Sequence, residues 1–497
     1  MIYVYIDNIE HRKKIEYIFN TFFYTLTDLY KFIPNPYIGI YNSSDILLAY
    51  ISDNHKIFPL FHKVIVILDS CKLFNPNFLK PSSLNISVNR YFFPVINKDI
   101  ISIFNNSSEL YIKVSENYIE TNIDIVSDAF FMLSRYEEIV ACEKFLNLKD
   151  TYSNIYAASA RESVSYRNNF LHRPIVNEYI ELLWYFIDGF SLGYRRKKNI
   201  WSTASFAACL THDVDTVKKY RSPLNIGKTI FDYIVKYRNI KKAIISFLCY
   251  IKCFFDNSYD PHWSFDYLMN MEMQFAFSSS FFFMSGGNSN FDNNYKINNL
   301  QIRKLIAKIE ENGFEAGYHG SFNSFNNKDL ILKEIDTLDA IIRNKPYGCR
   351  QHYLRFEFPT TWNLQHSAKI LYDTTLGFAD HEGFRCGICF PYKPYDIYKD
   401  KTLDIWEIPL CVMDATLKDV TLGNYSPEEA MEAVSKIIDI VKEYGGVFTL
   451  LWHNSSFDQH WENWQHLYKN ILQYLYNSNC VGLSGKNLIL QFNRLHS

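Results

Sequence analysis

Residues 211–215 read THDVD and set two carboxylates, Asp213 and Asp215, two positions apart directly after the apolar run FAACL. Three other apolar runs in the second half of the chain also end on a reactive polar side chain: His319 follows FEAGY, Arg350 follows KPYGC, and His453 follows GVFTLLW. Carboxylates at alternate positions leave a strand at different angles, so one can bind a metal while the other stays free as a base. A divalent cation with Asp and His ligands polarises a carbonyl and lowers the pKa of its bound water. Taken singly, an Asp-x-Asp is also a common turn or helix cap, and a lone histidine is usually a satisfied structural one. Four strand ends that each deliver such a group point to a site.

These side chains need a sheet behind them. From residue 201 onward, strand-like runs at 206–211, 277–284, 314–318, 404–411 and 446–452 alternate with helix-like segments, among them NNLQIRKLIAKIEENG and SPEEAMEAVSKIIDIVKEYGG. The latter carries Ser426 as N-cap, Pro427 in the first turn, Glu429 to close a capping box and Gly445 as its stop. Such alternation predicts a parallel sheet or a (β/α) barrel, folds that place reactive groups at the C-terminal ends of their strands. Earlier in the chain, KVIVILD (63–69) and ELYIKVS (109–115) read as strands of a mixed α/β unit. DIVSDAFFMLSRYEEIV reads there as one packed helix with its charges on the outer face. The basic stretch GYRRKKNIW at 193–201 is the expected linker, giving a smaller N-terminal domain over 1–200 and a distorted barrel over 201–497.

Composition narrows the function. With 497 residues, 48% of them hydrophobic, the chain can fill two cores. A net charge of −2 supplies no global field for nucleic acid. The start, MIYVYIDNIEHRKKIEYIF, lacks the order of a secretory signal, so the expected address is cytoplasmic. The apolar stretch AIISFLCYIKCFF (243–255) is interrupted by Lys252 and falls short of the ~18 residues of a membrane span. The basic segment that leads into it reads first as a solvated helical excursion packed on the barrel. The second reading of its composition is peripheral contact with an anionic membrane through 218–255. Ten cysteines without a signal do not suggest a disulfide framework. Cys386 and Cys389 have the spacing of a zinc knuckle or redox pair but lack a second pair, and so read as ordinary thiols.

In order and spacing, THDVD, GYHGSFNS, CRQHYLRF and LLWH resemble the motifs of the polysaccharide deacetylase family, the NodB-type carbohydrate esterases, over residues 203–497. YDTTLGFADHEGFRCG and EIPLCVMDATL are similar to a bacterial subgroup in which that barrel follows an uncharacterised N-terminal domain. FFMLSRYEE and LHRPIVNEY resemble that N-terminal domain. The resemblance implies a metal-dependent hydrolase that removes an N-acetyl, less readily an O-acetyl, group from a sugar or glycan, with zinc as the expected ion. In this reading Asp213 is the general base, and Asp215, His319 and the residue four beyond it, Asn323, are metal ligands. Arg350 holds Asp213, the backbone N–H of Tyr353 contributes to an oxyanion hole, and His453 protonates the leaving amine.

The chain departs from the pattern in three places. Asn323 stands where the family has a second metal histidine, and an amide oxygen is a weaker zinc ligand than imidazole, so water or His352 is expected to complete the shell. The first motif is Asp-Val-Asp instead of adjacent aspartates. The aspartate that tunes the acid histidine has no clear counterpart, leaving Asp373, Asp380 and Asp414 as candidates. These gaps keep open an alternative, a catalytically weak or inactive barrel that binds carbohydrate. Tyr318, Trp362, Phe384, Trp406 and Trp452 would then stack on sugar rings, although each alone is a common core residue. With a cytoplasmic address, the expected substrate is a nucleotide-linked or lipid-linked precursor in surface-polysaccharide synthesis.

Overall fold

Two parallel sheets organise the chain. The computed structural model describes residues 1–497 except 95–96, 106–108, 142–158, 198–199, 221, 288, 293–294, 419–424, 459–460 and 495–497. The first sheet is built from β1 (Ile2–Ile6), β2 (Tyr30–Ile33), β3 (Ile46–Ile51), β4 (Lys63–Leu68), β7 (Ile112–Val114) and β8 (Tyr118–Thr121), with β5 (Asn89–Phe93) and β6 (Lys98–Ser102) forming a separate hairpin. Its order is β2-β1-β3-β4-β8-β7, parallel except at the β7–β8 edge. Ile2, Val4, Ile6, Leu48 and Ile65 share one core with helices Arg12–Leu26, Ile125–Leu133 and Ile175–Asp188. On the opposite face Leu47, Ala49 and Val66 meet Phe58 and Phe61. β3 is therefore apolar at every position, as a central strand covered on both faces must be.

The predicted single helix over 124–140 is instead two, Ile125–Leu133 and Tyr136–Val140, broken at Arg135, whose φ is 55°. The break turns the Arg135 guanidinium inward, where Nη1 caps the Met132 carbonyl at 3.1 Å. The expected outer charged face is also absent. Asp124 and Asp128 are fully buried, Asp128 accepting the N–H groups of Ile103 and Phe104. In the predicted linker, Arg196 bonds Glu181 through both terminal nitrogens, Lys197 pairs with Asp28 and Trp201 is buried; Lys198 and Asn199 lie outside the described residues.

The second sheet curls. Its strands are β9 (Phe206–Val214), β10 (Ser280–Phe283), β11 (Glu315–Gly320), β12 (Cys349–Gln351), β13 (Tyr372–Asp373), β16 (Trp406–Glu407), β17 (Val412–Met413), β18 (Val447–Leu451) and β19 (Cys480–Leu483). A small hairpin, β14 (Tyr395–Asp396) with β15 (Lys401–Thr402), stands off it. The order is β16-β13-β12-β11-β10-β9-β18-β17, all parallel, with β19 beside the first half of β9. The edge strands β16 and β17 are joined by residues 408–411, whose N–H groups reach both edges: Leu410 donates to Leu376 and Cys411 to Thr449. The sheet thus bends towards a barrel. The predicted strand at 404–411 splits here because Pro409, without an N–H, interrupts pairing.

Helices at Leu300–Glu311 and Pro427–Tyr444 match the predicted segments, and the second keeps its capping box and a left-handed Gly445 at φ 64°. β9 runs three residues beyond the expected end at Thr211, because His212, Asp213 and Val214 pair with Phe281, Phe282 and Phe283. Core side chains continue from the first sheet's helices into the barrel: Tyr24 stacks on Phe492 and meets Trp406 edge-on.

Candidate active site

Alternation along β9 sorts the THDVD side chains. Thr211 and Asp213 share one face, where both meet Arg350 from β12. His212 takes the other face and is a strut. Its Nδ1 donates to the Trp452 carbonyl at 2.6 Å, Nε2 lies 2.8 Å from Glu272 on helix Phe265–Met273, and the ring stacks on Phe281.

Asp215, one residue past β9, sits among three histidines. Its Oδ1 is 3.1 Å from His319 Nε2 and 3.5 Å from His352 Nε2, and its Oδ2 is 3.6 Å from His453 Nε2. One ligand atom each from Asp215, His319 and His352 fall within 4.8 Å of one another. His319 Nδ1 is committed as donor to the Arg350 carbonyl at 2.9 Å, which fixes the tautomer and leaves Nε2 facing Asp215. His352 Nδ1 is buried without a hydrogen-bond partner, and Asp292 Oδ1 lies 3.9 Å away, too far for a bond. Two imidazoles and a carboxylate, with Asp215 29% exposed toward solvent, suit a borderline divalent cation with an open position.

Burial alone would raise the Asp215 carboxyl, but His352, His319 and His453 outweigh it and hold it far below the usual carboxylate range. Burial likewise opposes the charge on His319, and Asp213 and Asp215 reverse that, so its pKa is raised.

Arg350 is fully buried and fixed on all sides. Nη1 donates to Thr211 Oγ1 at 2.7 Å and Asp213 Oδ1 at 3.1 Å, Nε to the Thr374 carbonyl at 2.9 Å, and Nη2 to Thr374 Oγ1 at 3.1 Å. Asp213 Oδ2 lies 3.8 Å from His319 Nε2, so the carboxylate has one oxygen on the guanidinium and the other at the metal-type cluster. Opposite stands His453, held by Asp414. Nδ1 is 2.7 Å from Oδ1, the His453 backbone N–H donates to Oδ2 at 2.8 Å, and Ser456 also donates to Oδ2. Burial works against a charged His453, but Asp414 first, then Asp215 and Asp213, raise its pKa to about 10. Asp414, for its part, is lowered against its own burial by His453 and Ser456.

The structure thus brings together Asp213, Asp215, His319, Arg350 and His453. Of the three candidate orienters it selects Asp414. Asp373 is spent on Thr375 and Gln365, and Asp380 on the Ala160 N–H and Ser159. His352, not Asn323, joins the cluster. Asn323 is exposed past the end of β11, with its amide oxygen 3.4 Å from Arg355. Tyr353 follows His352 with φ 56°, and Leu354 is also left-handed at φ 55°. Two consecutive non-glycine residues in that region store strain of roughly 1–3 kcal/mol each.

The aromatic candidates are core. Tyr318 is fully buried with its hydroxyl on Glu334 at 2.6 Å, and Trp362 is buried with its N–H on Glu407 at 3.0 Å. Trp452 packs on Tyr468, Phe384 is buried, and Trp406 lines a cavity of about 200 Å³ against helix Arg12–Leu26. None offers a ring face to a sugar at the rim, which removes the support the binding-only alternative drew from them. Cys386 and Cys389 are buried and free. Sequence reasoning missed Asp292, whose carboxyl is lowered to about 2, since the neighbouring His352 imidazole and the bonds from the Phe322 and Ser289 N–H groups outweigh burial. Its surroundings, SNFDNNY, have no periodicity that could have placed it.

The fold and these side chains define a class: a mixed α/β protein whose curled parallel sheet carries a metal-type donor set beside an aspartate–arginine pair and a carboxylate-bound histidine. Residues 2–190 match the model of a family described as "Family of unknown function (DUF7033)". No curated protein matches the chain. A solved structure described as that of a "putative polysaccharide deacetylase" from Mycobacterium smegmatis is similar over 60% of this chain and 92% of its own, at 16% identity and a TM-score of 0.39. A likeness at that TM-score says nothing about what this chain binds or does.

Proposed function

We propose that the chain is a metal-dependent carbohydrate deacetylase that hydrolyses an N-acetyl group, less readily an O-acetyl group, on a sugar or glycan. The observation that carries this reading is the Asp213–Arg350 pair beside the Asp215, His319 and His352 donor set, with the Asp414-charged His453 opposite. The motif resemblance supplies the substrate class. A divalent ion held by Asp215, His319 and His352, zinc by its donor set, would polarise the acetyl carbonyl and make water acidic enough to attack.

The chain's own residues do the rest. Arg350 fixes the Asp213 carboxylate so that it takes the proton from the attacking water. The water oxygen bonds to the acyl carbon, and the backbone N–H of Tyr353 is assigned to the oxyanion that forms. As the C–N bond breaks, His453 gives a proton to the departing nitrogen. Asp414 keeps that imidazole charged beforehand and stabilises it while charged. Acetate and a free amine leave. A lipid-linked or nucleotide-linked precursor of a surface polysaccharide is the substrate source we favour.

The test is acetate release from a panel of N-acetylated and O-acetylated sugars, with metal content measured by mass spectrometry. Wild type should carry a divalent ion and release acetate, and Asp213→Asn should keep the ion and lose the activity. Metal-loaded wild type that releases no acetate, or an Asp213→Asn variant that releases it as fast, would sink the proposal.

A further inference from the structure

Between Asp215 and helix Phe265–Met273 the chain leaves the barrel as a helical hairpin, Pro223–Phe231 continuing through Asp232–Lys236, then Ile240–Lys252. Its neck is tied at the rim. Asp260 accepts the N–H groups of Lys219 and Tyr220, Thr216 bonds His262 at 2.7 Å, and Asn454 donates to the carbonyls of both Thr216 and His262. The excursion expected from the sequence is present. It does not, however, pack its apolar side on the barrel.

The hairpin is inside out. In helix Ile240–Lys252 the buried positions are Ala243 and Ser246. Ile240, Ile244, Phe247, Leu248 and Ile251, one stripe at helical spacing, are all exposed. The stripe runs on into Phe254 and Phe255, the latter 88% exposed, and the first helix adds Leu224 at 87% and Phe231 at 62%. A surface helix of a soluble protein turns that stripe to the core. An exposed apolar surface this continuous marks a docking face. Around it stand Lys228, Lys236, Arg238, Lys241, Lys242 and Lys252, against Asp232 and Asp256.

We infer that this hairpin docks on the surface of an anionic lipid bilayer, its isoleucines and phenylalanines at the acyl boundary and its lysines among the phosphates. The occupant must be both apolar and negatively charged, which a bilayer with anionic headgroups supplies at once. A second copy of the chain fits poorly, since it would press two basic hairpins together. Among the described residues no helix is long and apolar enough to cross a membrane, so the contact lies in the interface plane. Because the neck begins directly after Asp215, docking would set the mouth of the site beside the headgroups. The inference stands independently of the proposed reaction.

The experiment is co-sedimentation of the full chain with vesicles of phosphatidylcholine alone and with vesicles of equal parts phosphatidylcholine and phosphatidylglycerol. Wild type should pellet with the mixed vesicles only, and added salt should release it. Phe247→Asp with Phe254→Asp should abolish pelleting, and Lys236→Glu with Lys241→Glu should weaken it on the order of 10²-fold. All four positions are exposed, so unchanged melting curves will show that both variants fold. Wild type left in the supernatant with both vesicle types overturns the inference, as does equal binding to the neutral vesicles. So does a concentration-dependent dimer that Phe247→Asp with Phe254→Asp dissolves while vesicles fail to bind.

Discussion

Both sheets of this protein end parallel strands on carboxylates, yet only one assembles a site. In the first sheet Asp7 follows β1, Asp69 follows β4 and Asp124 lies just beyond β8. Asp7 is taken by Lys56 at 2.7 Å, Asp69 by Asn8 and the Cys71 N–H, and Asp124 by the Ser70 and Ser127 N–H groups and the Tyr50 hydroxyl. Backbone and neutral donors consume Asp69 and Asp124, and there burial dominates, raising Asp69 and raising Asp124 to about 6. In the barrel the neighbouring strand ends supply histidines, and half-buried Asp215 and fully buried Asp414 are both driven down. A strand-end acid is therefore common, whereas the cations delivered by adjacent strands distinguish a reactive one.

The comparison breaks most visibly in activity. Asp213→Asn should cost about 10²–10⁴-fold in kcat, the scale of removing a general base. Asp69→Asn should leave acetate release unchanged, and a comparable loss there would mean that the first sheet takes part in the chemistry. Next comes Asp414→Asn, which keeps the size of the side chain but removes the charge that holds His453 protonated. We expect kcat to fall by about 10²-fold with KM little altered. A fall in KM affinity alone would reassign His453 to substrate binding.

A third test separates buried charge that reacts from buried charge that only holds. Glu138, from the first part of the chain, lies between Arg135 and Arg385, with Arg135 Nη2 at 2.7 Å and Arg385 Nε at 3.0 Å, all nearly inaccessible. Every one of these groups is matched, and none faces an opening. Glu138→Gln would leave Arg385 without its counter-charge and Arg135 with Glu137 alone, at 3.3 Å, so stability should drop by about 3–5 kcal/mol, read from denaturant unfolding, while kcat in the folded fraction stays the same.

What the sequence disclosed follows from how local each signal is. The Ser426 capping box, the Gly445 stop and the strands leading to Asp213, His319 and His453 are written in adjacent residues, and the structure keeps them, with β9 and β11 running past their expected ends. His352 and Asp414 were named only among alternatives, because nothing local says which polar group a sheet's curvature brings to its centre. Tyr318 could have been excluded by parity: next to His319 on β11, it must face the other way. The inward acids of Ile125–Leu133 were illegible, since their partners are backbone N–H groups far away in sequence. Strands as short as β12 and β13 carry no periodicity at all.

The smallest effect probes the first sheet's acids directly. Asp124 is buried with a pKa of about 6, against about 3.9 for an unfolded aspartate, so between those values the folded chain binds more protons than the unfolded one. Stability then falls with rising pH: this group's contribution is complete below about 4 and is lost as pH passes 6, a change of up to about 3 kcal/mol. Asp124→Asn keeps one acceptor oxygen for Ser127 and Tyr50, gives up the acceptor for the Ser70 N–H at a cost that does not vary with pH, and cannot titrate. The difference in unfolding free energy, wild type minus variant, should therefore decline between pH 4 and 7, since titrations that do not interact with Asp124 cancel. A difference that rises over that range would mean that Asp124 is held charged, as Asp215 is, and the contrast between the two sheets would lose its electrostatic basis.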